Sequence, residues 1–195
     1  MVERMSAVCI IPARGGSRRI PKKNIKEFFG KPIIEYSIDA AKKAEIFKEI
    51  IVSTDSNSIM EAVDKIKGIT IHLRSSLMAR DEIGTQEVMK NVLEPDEADF
   101  ACCLYPCVPM LEPYELHRAL SFLRFNSQIQ YVVPVGKWLE DPGRWYFGRS
   151  NAFKTNIPLI GMGTRLMEVD ERKCVDINTM DDWREAEARY EDLYL

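Results

Sequence analysis

Two stretches of this chain, residues 7–11 (AVCII) and 98–105 (ADFACCLY), run almost without a polar side chain, and that continuity limits the fold more than any other feature. A strand with one wet face alternates apolar and polar residues. A strand covered on both faces does not, and such strands belong to parallel sheets sandwiched between helices. The sequence between and after the two runs supplies those helices. Pro32 opens one with an inward stripe of Ile34, Ile38 and Ala41, proline being at home in a first helical turn. Residues 50–53 form a second strand. Ile59, Ala62, Val63 and Ile66 follow at helical spacing, then a short strand at 69–73 and a helix from Gly84-Thr85 to Val92. Glu112-Pro113 begins another helix with Leu116, Ala119, Leu120 and Leu123 inward, and 131–135 is a further strand.

Strand and helix thus alternate from residue 6 to residue 135, which predicts an α/β fold: a mostly parallel sheet with helices on both faces and right-handed crossovers, in a single domain over 1–195. The last third is less regular. Residues 141–147 (DPGRWYF) read as turn and aromatic positions, and 157–160 and 166–169 as weak strands. A final helix runs from Thr179 to about Tyr194 with Trp183, Ala186, Tyr190 and Leu193 on one side. Thr179 and Asp182 have the spacing of a capping box.

The chemistry concentrates just after the first strand. Between residues 13 and 31 stand Arg14, Arg18, Arg19, Lys22, Lys23, Lys26 and Lys31 against one acid, Glu27, in a chain whose formal net charge is −3. A local surplus inside an acidic protein points to a site for a small anion rather than to a generally basic surface. In open α/β sheets ligands sit outside the carboxyl ends of strands, and the loop 12–24 lies at such an end. Gly15 and Gly16 let the backbone approach an anion and offer N–H donors, while Arg14, Arg18 and Lys23 neutralise phosphate oxygens. The loop is neither a Walker A sequence nor GxGxxG, and a solvated cationic loop is the competing reading.

Composition removes several classes. A hydrophobic share of 46% with 29% charged residues describes a globular protein. The apolar run before Pro12 is too short for a secretory or membrane segment, so the expectation is a cytoplasmic protein with no membrane partner. Five cysteines, an odd number without CxxC spacing, read as reduced structural thiols. With His72 and His117 alone, a histidine-based zinc site or a Ser/His/Asp triad has little support, and any metal would be held by oxygen, which suits magnesium. The cations occupy one short loop without interleaved aromatics, so no nucleic-acid partner is expected.

The string IIPARGGSRRIPKKNIKEFFGKPIIEYSIDAA resembles the nucleotide-binding signature of the CMP-sialic acid synthetase family, the cytidylyltransferases of nine-carbon sugar acids. It looks closest to the pseudaminic acid branch. The likeness continues in order through IFKEIIVSTDSNSIMEAV, LRSSLMARDEIGT, CCLYPCVPML and VDINTMDDWREAEARY. What the resemblance implies is a nucleotide-diphospho-sugar transferase-like fold and a cytoplasmic, magnesium-dependent enzyme. In it the anomeric hydroxyl of a sugar acid attacks the α-phosphorus of CTP and pyrophosphate leaves.

Carried over by position, Arg14 and Lys23 hold the triphosphate and stabilise the leaving pyrophosphate, assisted by Arg18, with Gly15, Gly16 and Ser17 in the same nucleotide-binding loop. Asn24 and Arg74 meet the nucleoside, and Ala79 and Asp81 match a nearby family loop with Gly84-Thr85. Thr85, Tyr105, Arg144 and Tyr146 are the implied sugar contacts, tyrosine at 105 being the mark of the pseudaminic-like branch. The family's Asp-x-Asp metal pair corresponds to Asp176 and Asn178, two residues that also suit helix capping. Arg144 stands where the family has glutamine, and reads either as a partner for a sugar carboxylate or as a surface residue. The basic stretch that the branch inserts before DPGRWYF, which serves the sugar pocket and the dimer contact, is largely missing, so a homodimer is possible rather than implied. Two alternatives follow: a nucleotide-binding or impaired relative, suggested by Asn178 and the short sugar region, and a nucleotidyltransferase with a different acceptor, its pocket remodelled around Arg144 and Trp145.

Overall fold

The computed structural model describes residues 5–80 and 82–195. In chain order the elements are β1 (Ala7–Pro12), a small hairpin of β2 (Glu27–Phe28) and β3 (Lys31–Pro32), α1 (Ile33–Lys43), β4 (Glu49–Thr54), α2 (Asn57–Val63), β5 (Thr70–Leu73), α3 (Thr85–Leu93) and β6 (Phe100–Leu104). There follow α4 (Pro113–Phe125), β7 (Tyr131–Val135), β8 (Trp145–Arg149), α5 (Ser150–Lys154), β9 (Thr164–Glu168) and α6 (Met180–Tyr194). The main sheet has the order β5-β4-β1-β6-β8-β7-β9. Every neighbouring pair is parallel except those made by β8, which runs antiparallel to both β6 and β7.

The two apolar runs become the central strands β1 and β6, and their continuity has the expected cause. Ala7, Cys9 and Ile11 of β1, with Phe100, Cys102 and Leu104 of β6, pack on one face against Ile34 and Ile38 of α1, Ile59 of α2 and Leu116 and Leu120 of α4. Val8, Ile10, Ala101 and Cys103 point the other way, into a second core with Val88, Met89 and Val92 of α3 and Phe153 of α5. Side chains alternate across a strand, so with both faces dry every residue must be apolar. Starts of helices follow local chemistry. At α4, Glu112 and Glu115 form a capping box with Pro113 in the first turn. At α6, Thr179 Oγ1 accepts the Asp182 N–H at 3.3 Å while Asp182 Oδ2 accepts the Thr179 N–H at 2.7 Å, as the spacing predicts.

Three expectations change. Residues 145–147, read as the end of a turn-and-aromatic stretch, open β8. Residues 157–160 form no strand, and α2 stops at Val63, short of Ile66. The entry of β8 between β6 and β7 is fixed by a buried polar hub on α4. Glu115 Oε1 accepts from Arg144 at 2.7 Å and Oε2 accepts from the Trp145 indole at 3.2 Å. Gly148 then admits the ring of Tyr131 from β7, which a Cβ would meet at 2.3 Å.

A third, smaller core lies under the cationic segment. Phe28 of the hairpin meets Trp183 and Tyr190 of α6 edge to face, with ring centroids 5.6 and 5.4 Å apart, and Tyr36 of α1 at 5.5 Å. Ile20, Ile33 and Ile177 complete it. Such ring pairs contribute about 0.5–1.5 kcal/mol each beyond their buried area. Here they hold the loop after β1 against the C-terminal helix.

Candidate active site

A cleft of about 660 Å³ opens at the carboxyl ends of the parallel strands. One side is the loop after β1, contributing Arg14, Gly16, Ser17, Arg18, Arg19, Lys23 and Asn24. The other carries Tyr105, Cys107, Asp141, Gly143, Tyr146, Asp176 and Asn178. Sequence separation between these two groups is bridged by topology. Tyr105 follows β6, and because β8 is antiparallel, its first residues lie at the same end of the sheet, Tyr146 pairing with Cys103.

On the cationic side the two glycines have different reasons. A Cβ on Gly15 would lie 2.8 Å from Ser56 Cβ, so the loop passes the start of α2 only without a side chain there. The Gly15 N–H donates to Asp55 at 2.9 Å, and so is already used by the protein instead of facing an anion. Gly16 has nothing within 4 Å of its missing Cβ and lines the open cleft. Lys23 Nζ donates to the Ile177 carbonyl at 2.5 Å and Arg19 donates to Asn178 Oδ1 at 3.1 Å, tying this wall to the segment before α6. Asn24 is buried; its amide donates to the Arg14 carbonyl at 2.9 Å and accepts from Cys107 Sγ at 3.4 Å, so it shapes the loop beneath the cleft floor.

The facing wall is a chain of hydroxyls. Thr85, outside the lining, has its Oγ1 3.1 Å from the Tyr105 hydroxyl, the Tyr105 and Tyr146 rings meet edge to face with centroids 5.8 Å apart, and the Tyr146 hydroxyl donates to Asp141 Oδ2. Burial raises both phenols above the ordinary tyrosine value, most strongly Tyr146, which also faces Tyr105 and Asp141. Cys107 is pushed up to about 12 by burial, the nearby Lys23 offsetting only part of this, so it stands as a neutral thiol. Asp176 lies over Gly143, whose backbone has φ +60 and whose Cβ would meet the carboxylate carbon at 2.9 Å.

Several expected residues lie elsewhere. Arg144 is neither at the surface nor in the cleft: it is 1% exposed, paired with Glu115, and donates to the carbonyls of Lys173 and Met110. Trp145 is likewise fully buried, so neither residue is placed to line an acceptor pocket. Arg74 turns inward, donating to the Ser53 carbonyl at 3.0 Å, and burial lowers its pKa despite Asp55 nearby. Ala79 sits half-buried in a turn away from the cleft lining, and Asp81 falls outside the described residues.

Asp176 and Asn178 do reach the cleft, but Asn178 is committed. Its Oδ1 accepts from Arg19, its Nδ2 donates to Asp176 at 2.6 Å, and its backbone N–H donates to Asp182. Among the described residues no three His, Cys, Asp or Glu side chains gather into an all-protein metal cage. Asp176 and Asn178 offer hard oxygen atoms at the rim, which suit a hard divalent cation. Arg19, Cys107 and Asp141 line the cleft although the sequence reading assigns them no site role. Arg19 was hidden among equivalent cations, and Asp141 in a string that reads as a turn.

Comparison with known proteins agrees with this architecture. A family model described as Cytidylyltransferase matches residues 8–146. The pseudaminic acid cytidylyltransferase of Campylobacter jejuni is 29% identical over 224 aligned positions, covering 95% of this chain and 97% of that protein. That alignment is longer than this chain, so the relative carries residues without a counterpart here. The N-acylneuraminate cytidylyltransferase of Streptococcus agalactiae is 31% identical over 143 positions, covering 71% of this chain and 34% of the relative. In fold, the chain matches CMP:2-keto-3-deoxy-manno-octonic acid synthetase, solved in complex with CTP, at a TM-score of 0.79 and 19% identity, covering 96% of this chain and 99% of the other. The mostly parallel sheet, the cationic loop at its carboxyl end and the family match lead to one conclusion: this chain belongs to the cytidylyltransferase family.

Proposed function

We propose that this protein transfers the cytidylyl group of CTP to the anomeric hydroxyl of a nine-carbon, sialic-acid-like sugar acid, pseudaminic acid first among them, with release of pyrophosphate. The observation that carries the reading is the division of the cleft into a wall of fixed cations and a wall of hydroxyls and carboxylates. A triphosphate lies naturally along the first, and a polyhydroxylated acceptor along the second. The cleft is of a size usual for small-ligand sites. The relative aligned over nearly its full length, named for pseudaminic acid, supports this acceptor class.

In this reading Arg14, Arg18 and Lys23 meet the phosphates, and Arg14 and Lys23 neutralise charge as it develops on the leaving pyrophosphate. Gly16 and Ser17 line the phosphate path. Thr85, Tyr105 and Tyr146 orient the acceptor. With the reacting atoms held in line, positioning and electrostatics supply most of the acceleration. Asp176 would hold a magnesium ion, and Asn178 would join it only on releasing Arg19. The ion, when bound, supplies neutralisation of phosphoryl charge. The five unpaired cysteines suit a reducing, cytoplasmic setting, and among the described residues no helix is long and apolar enough to cross a membrane.

The test is incubation of the protein with CTP, magnesium and a panel of sugar acids. Pyrophosphate release with a CMP-linked acid identified by mass spectrometry is the expected result; a folded protein silent across the panel contradicts the assignment. A second reading, a CTP binder that no longer turns over, draws on Asn178 and its engagement with Arg19 and Asp176. Rapid magnesium-dependent turnover removes it.

A further inference from the structure

Attack of a hydroxyl on phosphorus releases a proton, and something in the cleft must take it. Among the described residues that line it, Asp141 and Asp176 are the carboxylates, and no histidine is present. Cys107 is held as a neutral thiol and Tyr105 and Tyr146 as neutral phenols, so none of the three is a resting base. Lys23 and the arginines are cations. Asp176 receives Asn178 Nδ2 at 2.6 Å and occupies the position suited to a cation.

Asp141 remains, and the geometry connects it to the acceptor wall. Its Oδ1 accepts the Gly143 N–H at 2.9 Å, fixing the carboxylate within its own turn, and its Oδ2 accepts from the Tyr146 hydroxyl. Tyr146 in turn meets Tyr105, which meets Thr85. Among the charged and titratable groups around Asp141 are Tyr146 and Tyr105, Asp176 across Gly143, and Glu140 beside it in the chain, and the cations of the loop after β1 line the same cleft.

Resting on the cytidylyl-transfer reading, we infer that Asp141 is the terminal proton acceptor of the reaction and acts through Tyr146. As the acceptor oxygen bonds to the α-phosphorus, its O–H bond breaks and the proton passes to the Tyr146 oxygen. The phenolic proton of Tyr146 passes at the same time to Asp141 Oδ2. The bond from the α-phosphorus to the bridging oxygen breaks, and pyrophosphate leaves with that electron pair. Asp141 later returns its proton to water, and Tyr146 ends as it began.

The experiment compares wild type, Asp141→Asn, Tyr146→Phe and the double variant for pyrophosphate release across pH, with CTP affinity measured by calorimetry. Asparagine keeps one acceptor oxygen for the Tyr146 hydroxyl but gives up the one that receives the Gly143 N–H, so the unfolding midpoint of Asp141→Asn is recorded to separate a structural loss from a catalytic one. The proton route expects kcat to fall about 100-fold in each single variant, the range of general acid–base assistance, with CTP affinity retained. The double variant should be no worse than either single one. Asp141→Asn within about threefold of wild-type kcat, or losses that multiply in the double variant, overturn the inference. Wild-type turnover in the same assay reports the acceptor assignment independently: an active wild type beside an undiminished Asp141→Asn sinks the proton route alone, whereas a silent wild type that still binds CTP sinks both.

Discussion

The cationic wall of the cleft comes from one continuous loop, Arg14 to Lys23, whereas Tyr105, Asp141 with Tyr146, and Asp176 reach the facing wall from three separate segments, with Thr85 behind Tyr105 and outside the lining. A wall made by one loop depends on local backbone fit: Gly15 passing Ser56, and Lys23 and Arg19 anchored to the segment before α6. A wall gathered from three segments depends on topology, above all on β8 lying between β6 and β7. Loss of a cation from the first should therefore show as lost nucleotide affinity with small changes in stability, while a side chain at Gly15 should disturb the fit of the loop itself. Damage to the second should show as lost stability before any loss of binding.

The largest effect is expected at the strut that places β8. Arg144→Ala leaves Glu115 buried without its cation and should destabilise the protein by about 3–5 kcal/mol, read from urea unfolding. A loss below about 1 kcal/mol would show that the facing wall does not hang on this pair. Next comes the glycine pair. Gly15→Ala should cost about 1–3 kcal/mol through collision with Ser56, and Ser56→Gly in the same chain should recover most of it. Gly16→Ala should change stability by under about 0.5 kcal/mol, because its methyl meets only the open cleft, and should weaken CTP binding instead. Equal stability losses at both positions would erase the distinction. Thr179→Ala, which removes the α6 cap, should cost about 1 kcal/mol without altering the midpoint of CTP titration.

The smallest effect concerns pH. His72, bonded to Ser53 at 3.1 Å, has its pKa lowered from 6.5 by burial and then by the Arg74 cation. The folded state therefore resists protonation: the contribution of His72 is fully present above pH 6.5 and declines as pH falls through the depressed value. His72→Gln should flatten the stability profile below neutrality; an unchanged slope would assign the acid sensitivity to other groups.

How much could be read in advance follows the same contrast. Strands β1, β4, β6 and β7 and helices α1, α3, α4 and α6 carry their signals locally, in continuous apolar runs, helical stripes and capping residues, and each appears where expected to within a few residues. Cations in one loop are legible for the same reason. Strand β8 is not, since Asp141, Pro142 and Gly143 advertise a turn and the strand after it is short, although three consecutive aromatic residues were a usable hint. Arg144 misleads most: an arginine beside a turn reads as a ligand or a surface residue, and only the distant Glu115 makes it a core residue. Asp141 is concealed likewise, because its partner Tyr146 becomes informative only when Tyr105 stands beside it. Asn178 shows the limit of matching residue types, its amide being taken up by two neighbours that the linear sequence does not place together.

The central claim is that the loop after β1 receives the triphosphate of CTP. Calorimetric titration of CTP into wild type and Lys23→Ala, with the unfolding midpoint of both recorded, tests it most directly. Loss of one charge-assisted contact should weaken binding about 10- to 100-fold while the fold is kept. Unchanged affinity in the folded variant would place the nucleotide elsewhere and contradict the account.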